Sequence, residues 1–428
     1  MRILLTGANG FLGRYVLAAL AGAGHRVVPA VRNVEAARHL SSGEAPLQID
    51  FNRDTHSAGW LPRLAGIDAV INCAGVLQAT RGQSIEAIHT LAPQALFAAC
   101  EQAGVRRVIQ ISAISADAGA GTDYAASKLA GDTLLKKTNL DWVIVRPSLV
   151  VAPGAYGGTA LLRALASLPF VVPLVGKGEQ LFQPVHIGDV TECILRILAD
   201  PGINRQVIDP VGPDVLTLRD IVLGLRRWLG YGAARILEVP LALIGPLAWL
   251  GDRVGGPLST TSLRQLEYGN TGDAAAFTRA TGIVPQSWSM ALAMHPSQWQ
   301  DRWHARLYFL RPILRTALAL MWIASGVIGL LQPATIMQSL LGACSLPVET
   351  NLLLARLACA LDIVIGIALL ARWKPAWMAG IQLALVAAYS VFLSMVQPAL
   401  WLDPFGPLLK NLPIAVAILV LAALEQDR

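Results

Sequence analysis

Tyr124 and Lys128, in the segment DYAASK, are residues whose types and spacing suggest proton transfer. They stand four residues apart, so on a helix they would share one face. A tyrosine with an ordinary pKa of about 10 is a poor acid or base near neutral pH. A lysine ammonium beside it favours the phenolate and lowers that pKa. The pair therefore predicts a general acid that protonates a carbonyl oxygen.

A glycine-rich turn at the start of the chain predicts what binds beside this pair. The apolar run RILLTG leads into Gly7, Gly10 and Gly13 of TGANGFLG, and an apolar-periodic helix follows. Glycines at this spacing allow a tight turn, a close approach of backbone to a pyrophosphate and close packing of helix on strand. Because the motif follows a strand and opens a helix, it predicts a dinucleotide site.

Arginines near the next strand indicate which dinucleotide is bound. The strand HRVVPAVR ends at Arg32, where an acidic residue would favour NAD(H), and Glu35 comes three residues later. Arg32 and Arg14 instead suit the 2′-phosphate of NADP(H) through charge-assisted hydrogen bonds. The alternative is that both are solvated surface arginines. We favour NADP(H) over NAD(H).

Further strands are predicted in DAVINCAGV (68–76), VRRVIQIS (105–112) and DWVIVRPS (141–148). Strands that alternate with helices over this length predict an α/β fold with a doubly wound parallel sheet, and its ligands lie at the carboxyl ends of the strands. Small or polar residues at these strand ends are Asn72, Ala74, Gly75, Arg146, Pro147 and Ser148.

Together, TGANGFLG, Asp50–Phe51, INCAG, YAASK and RPS resemble the short-chain dehydrogenase/reductase superfamily, of the extended or atypical kind. The resemblance covers roughly residues 1–290 and is strongest to the branch that contains the nucleotide-binding accessory subunit of respiratory complex I and its bacterial relatives. It implies that Asp50 and Phe51 border the adenine, Ala74 and Gly75 the ribose side, and Lys128 the nicotinamide ribose. The implied cofactor-binding residues are Gly7, Asn9, Gly10, Phe11, Leu12, Gly13, Arg32, Asp50, Phe51, Ala74, Gly75, Lys128, Pro147 and Ser148.

The sequence departs from the superfamily at the residue that polarises the substrate carbonyl. That position is usually Ser or Thr but is Ala113 here, and Ser112 before it would point to the opposite face of the strand. Ser115 could reach the site from the following loop. Losing a hydrogen bond of this kind costs about 2.7–4 kcal/mol, or roughly 10²–10³ in rate. The predicted catalytic residues are Tyr124, Lys128 and Ser112, and a structural role is favoured for His186 and Asp189 over a catalytic histidine.

Charged residues make up only 14% of the whole chain, and from Ile313 onward it consists mostly of long apolar runs. Four spans are predicted at 313–331, 351–371, 376–397 and 405–424, after a domain at 1–294 and a juxtamembrane linker at 295–312. The shorter apolar stretch 236–251 is interpreted as a helix of the substrate domain that either lines an apolar pocket or touches the bilayer surface. The four-span layout, Asp362 and DPFGPLLKNLP resemble the DoxX-like membrane family. That family is linked with quinone or thiol redox chemistry.

Basic residues set the expected orientation of these spans. They occur before the first span and between the second and third, whereas 332–350 and 398–404 contain none. Both termini are therefore expected in the cytoplasm of a cytoplasmic (inner) membrane protein. Within the spans, we predict that Asp362 pairs with Lys410; the alternative is that Arg356 and Lys410 extend to the interfaces.

The net charge of +6 comes from scattered arginines, so nucleic-acid binding is not expected. The five cysteines form no CxxC pair, which argues against a metal site and against disulfides. The leading hypothesis is a membrane-tethered NADP(H)-dependent oxidoreductase or epimerase-like enzyme acting on an apolar or quinone-like small molecule. A non-catalytic NADPH-binding scaffold, assembly factor or redox sensor is the alternative, and a nucleotide-gated transporter is the third hypothesis.

Overall fold

The computed structural model describes residues 1–40, 43–79, 82–254, 258–341 and 347–425. Cys344, one of the five cysteines, lies outside the described residues. The chain forms two compact units, Met1–Ala305 and Arg306–Arg428.

Thirteen strands lie in the described part of the amino-terminal unit. They are β1 (Arg2–Thr6), β2 (Arg26–Val31), β3 (Leu47–Gln48), β4 (Ala69–Asn72), β5 (Arg107–Ile111), β6 (Asp141–Val145), β7 (Val150–Val151), β8 (Val171–Val175), β9 (Leu181–Phe182), β10 (Val185–His186), β11 (Gln206–Ile208), β12 (Leu216–Thr217) and β13 (Arg235–Val239). Seven of them form one parallel sheet in the order β11-β6-β5-β4-β1-β2-β3. The predicted doubly wound sheet is confirmed, and its central strands are the near-continuous apolar runs that burial on both faces requires.

Helices cover both faces of this sheet. The described α-helices of this unit are α1 (Phe11–Gly22), α2 (Ser57–Trp60), α3 (Ala92–Ala103), α4 (Asp123–Lys136), α5 (Gly157–Ala166), α6 (Ile187–Ala199), α7 (Leu218–Trp228), α8 (Leu241–Val254), α9 (Thr260–Tyr268), α10 (Ala274–Thr281) and α11 (Trp288–Met294). One core packs α1 and α6 on the sheet, and a second packs α2 and α3 on its other face. Residues 236–251, expected as one helix, divide into the end of β13, which pairs with β8, and most of α8.

Five α-helices follow in the described residues: α12 (Trp299–Leu331), α13 (Ala334–Leu341), α14 (Val348–Leu370), α15 (Pro375–Val396) and α16 (Asn411–Glu425). Three of them, α12, α14 and α15, are long and apolar enough to cross a membrane. The predicted fourth span differs, because its helix begins at Asn411 and has 15 residues, or about 22 Å. The predicted linker is helical from Trp299 and continuous with the first span.

Helices α12, α14, α15 and α16 share one apolar core. Gly326 and Gly366 allow α12 and α14 to approach closely, since a Cβ at Gly366 would lie 2.7 Å from the Ala319 carbonyl oxygen. The predicted pairing of Asp362 with Lys410 is wrong. Asp362 is buried and accepts a hydrogen bond from the Tyr389 hydroxyl at 2.9 Å and another from Ser325, whereas Lys410 is exposed.

Candidate functional site

The turn between β1 and α1 has the backbone geometry predicted from its glycines. Gly7 has a φ of +65°, and a Cβ there would lie 2.9 Å from the backbone of Cys73 and Ala74. A Cβ at Gly13 would lie 2.1 Å from the Gly7 carbonyl oxygen. The first turn of α1 holds no acidic residue, and its N–H groups follow Gly10 directly. This turn fits a pyrophosphate, because only glycine leaves the space for close approach and the helix N-terminus favours an anion.

Buried polar side chains fix the adjacent strand ends. The Thr6 hydroxyl donates to Asn72 Oδ1, and Asn72 Nδ2 donates to Gln110 Oε1 at 2.8 Å. The amide of Ala74 donates to Asn72 Oδ1 at 3.2 Å. β1, β4 and β5 are therefore linked where the Cys73–Gly75 segment leaves the sheet.

Helix α4 carries Tyr124 and Lys128 into this region. Thr122 caps the helix by accepting a hydrogen bond from the Ala125 amide at 3.2 Å. The buried Lys128 ammonium donates to the carbonyl oxygen of Ile111, the last residue of β5, at 3.0 Å. It also lies against Gly75, where an added Cβ would be 3.0 Å from Nζ. Tyr124 and Lys128, the pair predicted from the sequence, therefore lie near the carboxyl edge of the sheet.

Burial shifts the pKa values of both groups. It lowers the pKa of Lys128 to about 8, against the opposing charge of Asp132. It raises the pKa of Tyr124 to about 12, and the negative charge of Asp132 acts in the same direction. The lowered pKa expected for Tyr124 is absent from this structure, because desolvation disfavours the phenolate. Tyr124 is therefore held in its protonated form at neutral pH.

His89 is a site residue that sequence reasoning missed. It lies in a π-helical turn, Ala87–Leu91, a local geometry that is rare and often found at functional sites. Its Nε2 accepts a hydrogen bond from the Val76 amide at 3.1 Å, so Nδ1 carries the proton and donates to Ser127 Oγ at 2.8 Å. The imidazole packs edge-on against the Tyr124 ring, with 5.6 Å between centroids. A lone histidine among apolar residues gives no sequence signal of this position.

Ser112, one of the predicted catalytic residues, binds a buried carboxylate in this structure. Its hydroxyl donates to Asp132 Oδ2 at 2.9 Å, and Arg146 binds the same carboxylate through Nε at 2.8 Å and Nη2 at 2.7 Å. Asp132 is fully buried, so its charge depends on these partners. Ser115 is also buried, and its hydroxyl forms no hydrogen bond within the described part of the chain.

The residues expected near the adenosine lie at the ends of β2 and β3. Arg32 is exposed directly after β2, and Arg14 Nε donates to the carbonyl oxygen of Asn9 at 3.0 Å. Asp50 accepts a hydrogen bond from the Asn52 amide at 3.0 Å. Phe51 is buried edge-on against Trp60. Phe11 and Leu12 open α1.

The remaining candidates lie beyond β6 and at the start of α6. Pro147 accepts a hydrogen bond from the Ile114 amide at 3.2 Å, and the Ser148 hydroxyl donates to the Gln183 carbonyl. His186 caps α6 by accepting from the Gly188 amide at 3.1 Å. Asp189 accepts from the Gln286 amide at 3.0 Å. His186 and Asp189 thus stabilise the start of α6 and its contact with Gln286.

The fold and the glycine turn define a short-chain dehydrogenase/reductase-like unit with a nicotinamide dinucleotide-binding fold, followed by a DoxX-like membrane region. Residues 3–208 match the NAD dependent epimerase/dehydratase family, and residues 319–419 match the DoxX-like family. Both resemblances predicted from the sequence are confirmed.

Several curated proteins resemble the amino-terminal unit. NADH dehydrogenase (ubiquinone) 1 alpha subcomplex subunit 9 of Arabidopsis thaliana is 29% identical over 62% of this chain and 67% of its own length. The NADH-ubiquinone oxidoreductase 40 kDa subunit of Neurospora crassa is 29% identical over 56% of this chain, which spans 64% of that subunit. Ceramide reductase of Caulobacter vibrioides is 26% identical over 56% of this chain and 73% of the reductase.

Solved structures share the fold. MoeE5 in complex with UDP-glucose and NAD superimposes with a TM-score of 0.53 at 20% identity, over 69% of this chain and 97% of MoeE5. UDP-glucuronic acid 4-epimerase from Bacillus cereus, bound to UDP-glucuronic acid and NAD, gives a TM-score of 0.53 at 19% identity, over 72% of this chain and 100% of the epimerase. At these identities the likeness establishes the fold alone.

His89→Gln is expected to make the folded protein less sensitive to acid. Burial lowers the pKa of His89 from 6.5 to about 2, so between these values the unfolded chain binds one more proton at this residue. The contribution is fully present above the unfolded pKa, and about 1.4 kcal/mol is lost per pH unit below it. Thermal unfolding followed by circular dichroism between about pH 7 and pH 4 should therefore show a shallower loss of stability in the variant than in the wild type. His39→Gln, at an exposed histidine, serves as the control. If stability falls with pH equally steeply in the wild type and in His89→Gln, the lowered pKa of His89 is contradicted.

Proposed function

We propose that this protein is a membrane-anchored NADP(H)-dependent oxidoreductase that reduces an apolar carbonyl compound at the cytoplasmic face. The observation that carries the proposal is the placement of Tyr124 and Lys128 on one face of α4, beside Gly75 and the end of β5. The matching family and the ceramide reductase of Caulobacter vibrioides support an enzymatic role for this fold.

The roles of the side chains follow from their protonation. The bound reduced dinucleotide would supply the hydride. Tyr124, whose pKa is raised to about 12, keeps its proton until a carbonyl oxygen gains negative charge beside it. The Lys128 ammonium would then stabilise the phenolate that remains and would help to hold the nicotinamide ribose.

Ser115 is the hydroxyl that we assign to the substrate carbonyl in place of Ala113. Ser112 donates to Asp132 and holds the β5–α4 connection instead. Ser115 follows Ala113 by two residues in a tight turn, in which the Ala116 amide donates to the Ala113 carbonyl at 2.9 Å. Its hydroxyl is not committed to another described group, which supports the assignment.

The preference for NADP(H) rests on Arg32 and Arg14. Both are exposed near the turn that would hold the adenosine ribose, and the first turn of α1 has no acidic residue to repel a 2′-phosphate. A guanidinium binds phosphate through paired, charge-assisted hydrogen bonds.

The membrane arrangement is proposed from the basic residues. Arg306 and Arg311 precede the apolar part of α12, and Arg372 and Lys374 lie between α14 and α15. The positive-inside rule places these segments, and with them the amino-terminal unit, in the cytoplasm. The carboxyl terminus lies on the same side if α16 crosses together with the residues before it.

A non-catalytic dinucleotide-binding role is the second candidate. Ala113 and the commitment of Ser112 to Asp132 favour it, and two of the relatives are named as subunits of NADH dehydrogenase complexes. In that case Lys128 and the glycine turn would bind NADPH, and Tyr124 would have a packing role against His89.

Tyr124→Phe is expected to abolish reduction and to leave dinucleotide binding intact, because it removes the proton but keeps the ring that packs on His89. NADPH oxidation by the purified full chain in detergent would be measured against a panel of ketones and quinones, and NADPH affinity by fluorescence titration. Tyr308→Phe, outside the amino-terminal unit, is the matched control. Turnover that survives in Tyr124→Phe would exclude the acid role, and NADPH binding without turnover on any substrate would favour the scaffold.

Ser115→Ala is expected to lower kcat by roughly 10²–10³, as for the loss of one donor to a developing oxyanion. Ser112→Ala should instead lower the melting temperature, because it removes one hydrogen bond from the buried Asp132, and should change kcat less. Steady-state kinetics and thermal unfolding of both variants separate these effects. A larger loss of kcat in Ser112→Ala than in Ser115→Ala would reverse the assignment.

Arg32→Ala is expected to weaken NADPH binding by about 10- to 100-fold, the loss of a hydrogen bond to a charged group, and to leave NADH binding nearly unchanged. The control is Arg38→Ala, an exposed arginine that pairs with Glu35 nearby. Isothermal titration with NADPH and with NADH measures the ratio of the two affinities. Wild-type protein that prefers NADH, or an unchanged ratio in Arg32→Ala, would exclude the 2′-phosphate role.

A further inference from the structure

Helix α8 exposes its apolar side, contrary to the usual arrangement in a folded domain. It packs through Ile244 and Ala248, which are 6% and 0% exposed. The leucines on its outer face, Leu243, Leu247 and Leu250, are 63%, 58% and 50% exposed. Scattered exposed leucines are ordinary, but a continuous apolar patch on one helix marks an interaction surface.

The length and composition of α8 indicate what this patch contacts. Its 14 residues, with Pro246 inside, span about 21 Å, too short to cross the roughly 30 Å apolar layer. Trp249 is 55% exposed on the same helix, and the Arg253 guanidinium lies over its ring, 3.4 Å from the centroid. Leucines with a tryptophan and an arginine are typical of a helix that lies in the membrane interface.

The chain itself keeps this unit near a bilayer, because α12, α14 and α15 have the length and hydropathy of membrane spans. A tethered surface meets the membrane at high effective concentration, so modest apolar area suffices for contact.

The same helix is joined to the candidate site. Ile244 and Ala248 pack on Leu263 of α9. From α9, Gln265 Nε2 donates to Thr122 Oγ1 at 2.7 Å, and Arg264 Nη1 donates to the Gly121 carbonyl at 3.1 Å. Thr122 caps α4 two residues before Tyr124, so α9 borders the start of the helix that carries the proposed acid, and α8 packs against α9.

We propose that the outer face of α8, formed by Leu243, Leu247, Trp249 and Leu250, inserts into the interfacial layer of the membrane. The edge of the site near Tyr124 is thereby held at the lipid surface, and the substrate class is a membrane-resident lipid that carries a ketone. The insertion stands on the exposed face of α8, whereas the substrate class rests on the proposed reductase function.

Photo-crosslinking tests the insertion without reference to activity. A benzophenone amino acid would replace Leu247 in the full-length protein, reconstituted in vesicles of phosphatidylethanolamine and phosphatidylglycerol. The matched control replaces Gln102, an exposed residue of α3. We expect lipid adducts by mass spectrometry at position 247 and a large excess over position 102. Equal yields at the two positions, or none at 247, would overturn the insertion, whether or not the protein turns over a substrate.

A second measurement tests the substrate class. The double variant Leu243→Glu, Leu247→Glu should lower kcat/KM for a long-chain keto-lipid in those vesicles by roughly tenfold or more, since two charges oppose entry of the helix into the interface. Turnover of a short water-soluble ketone and NADPH affinity should stay unchanged, and Leu243→Met, Leu247→Met should behave as the wild type. An equal loss on both substrates, or no loss on the lipid, would overturn the proposed route. Absence of turnover on every substrate in the wild type would instead refute the reductase function and leave the crosslinking result standing.

Discussion

Burial of the Lys128 ammonium at the carboxyl edge of the sheet is the constraint on which the candidate site depends. An ammonium has three N–H donors, and one of them is bound by the Ile111 carbonyl. Desolvation lowers the pKa of Lys128 to about 8, so the charged form is costly unless further acceptors or negative charge lie nearby. Asp132 supplies some of that charge, and Arg146 and Ser112 in turn hold Asp132. The polar network under α4 is therefore one arrangement that keeps a lysine charged inside the protein.

The same constraint explains the small residues around Lys128. Gly75 leaves room for Nζ, and Gly131 lets α4 pack on the π-helical turn, since a Cβ there would be 2.3 Å from the His89 carbonyl oxygen. His89 then joins that turn to the Val76 amide and to Ser127 of α4. Strand β4, the π-helical turn and α4 are thus fixed relative to each other by backbone contacts that larger residues would prevent.

Much of this was predictable where the signal is local. The Gly7–Gly13 turn, the central strands and the four-residue spacing of Tyr124 and Lys128 each depend on residues close in sequence. The partners of Ser112 and Asp362 were not, because they lie 20 and 27 residues away, and only tertiary packing selects Asp132 and Tyr389 among many candidates. The exposed side of α8 could not be predicted for a related reason. A helix that is apolar on most sides does not show in its sequence which side is buried.

Proton donation by Tyr124 depends on positive charge beside its hydroxyl, because its pKa is raised in this structure. In the structure, desolvation and the charge of Asp132 hold the tyrosine protonated, so its acid function requires a group that stabilises the phenolate. Lys128 is placed to do so, and its own pKa near 8 leaves it charged in most molecules at neutral pH. A bound oxidised nicotinamide would supply further positive charge that favours the phenolate. The arrangement of Tyr124 and Lys128 therefore supports the proposed proton-transfer role, while Ala113 leaves the substrate carbonyl without the usual hydroxyl donor unless Ser115 supplies one.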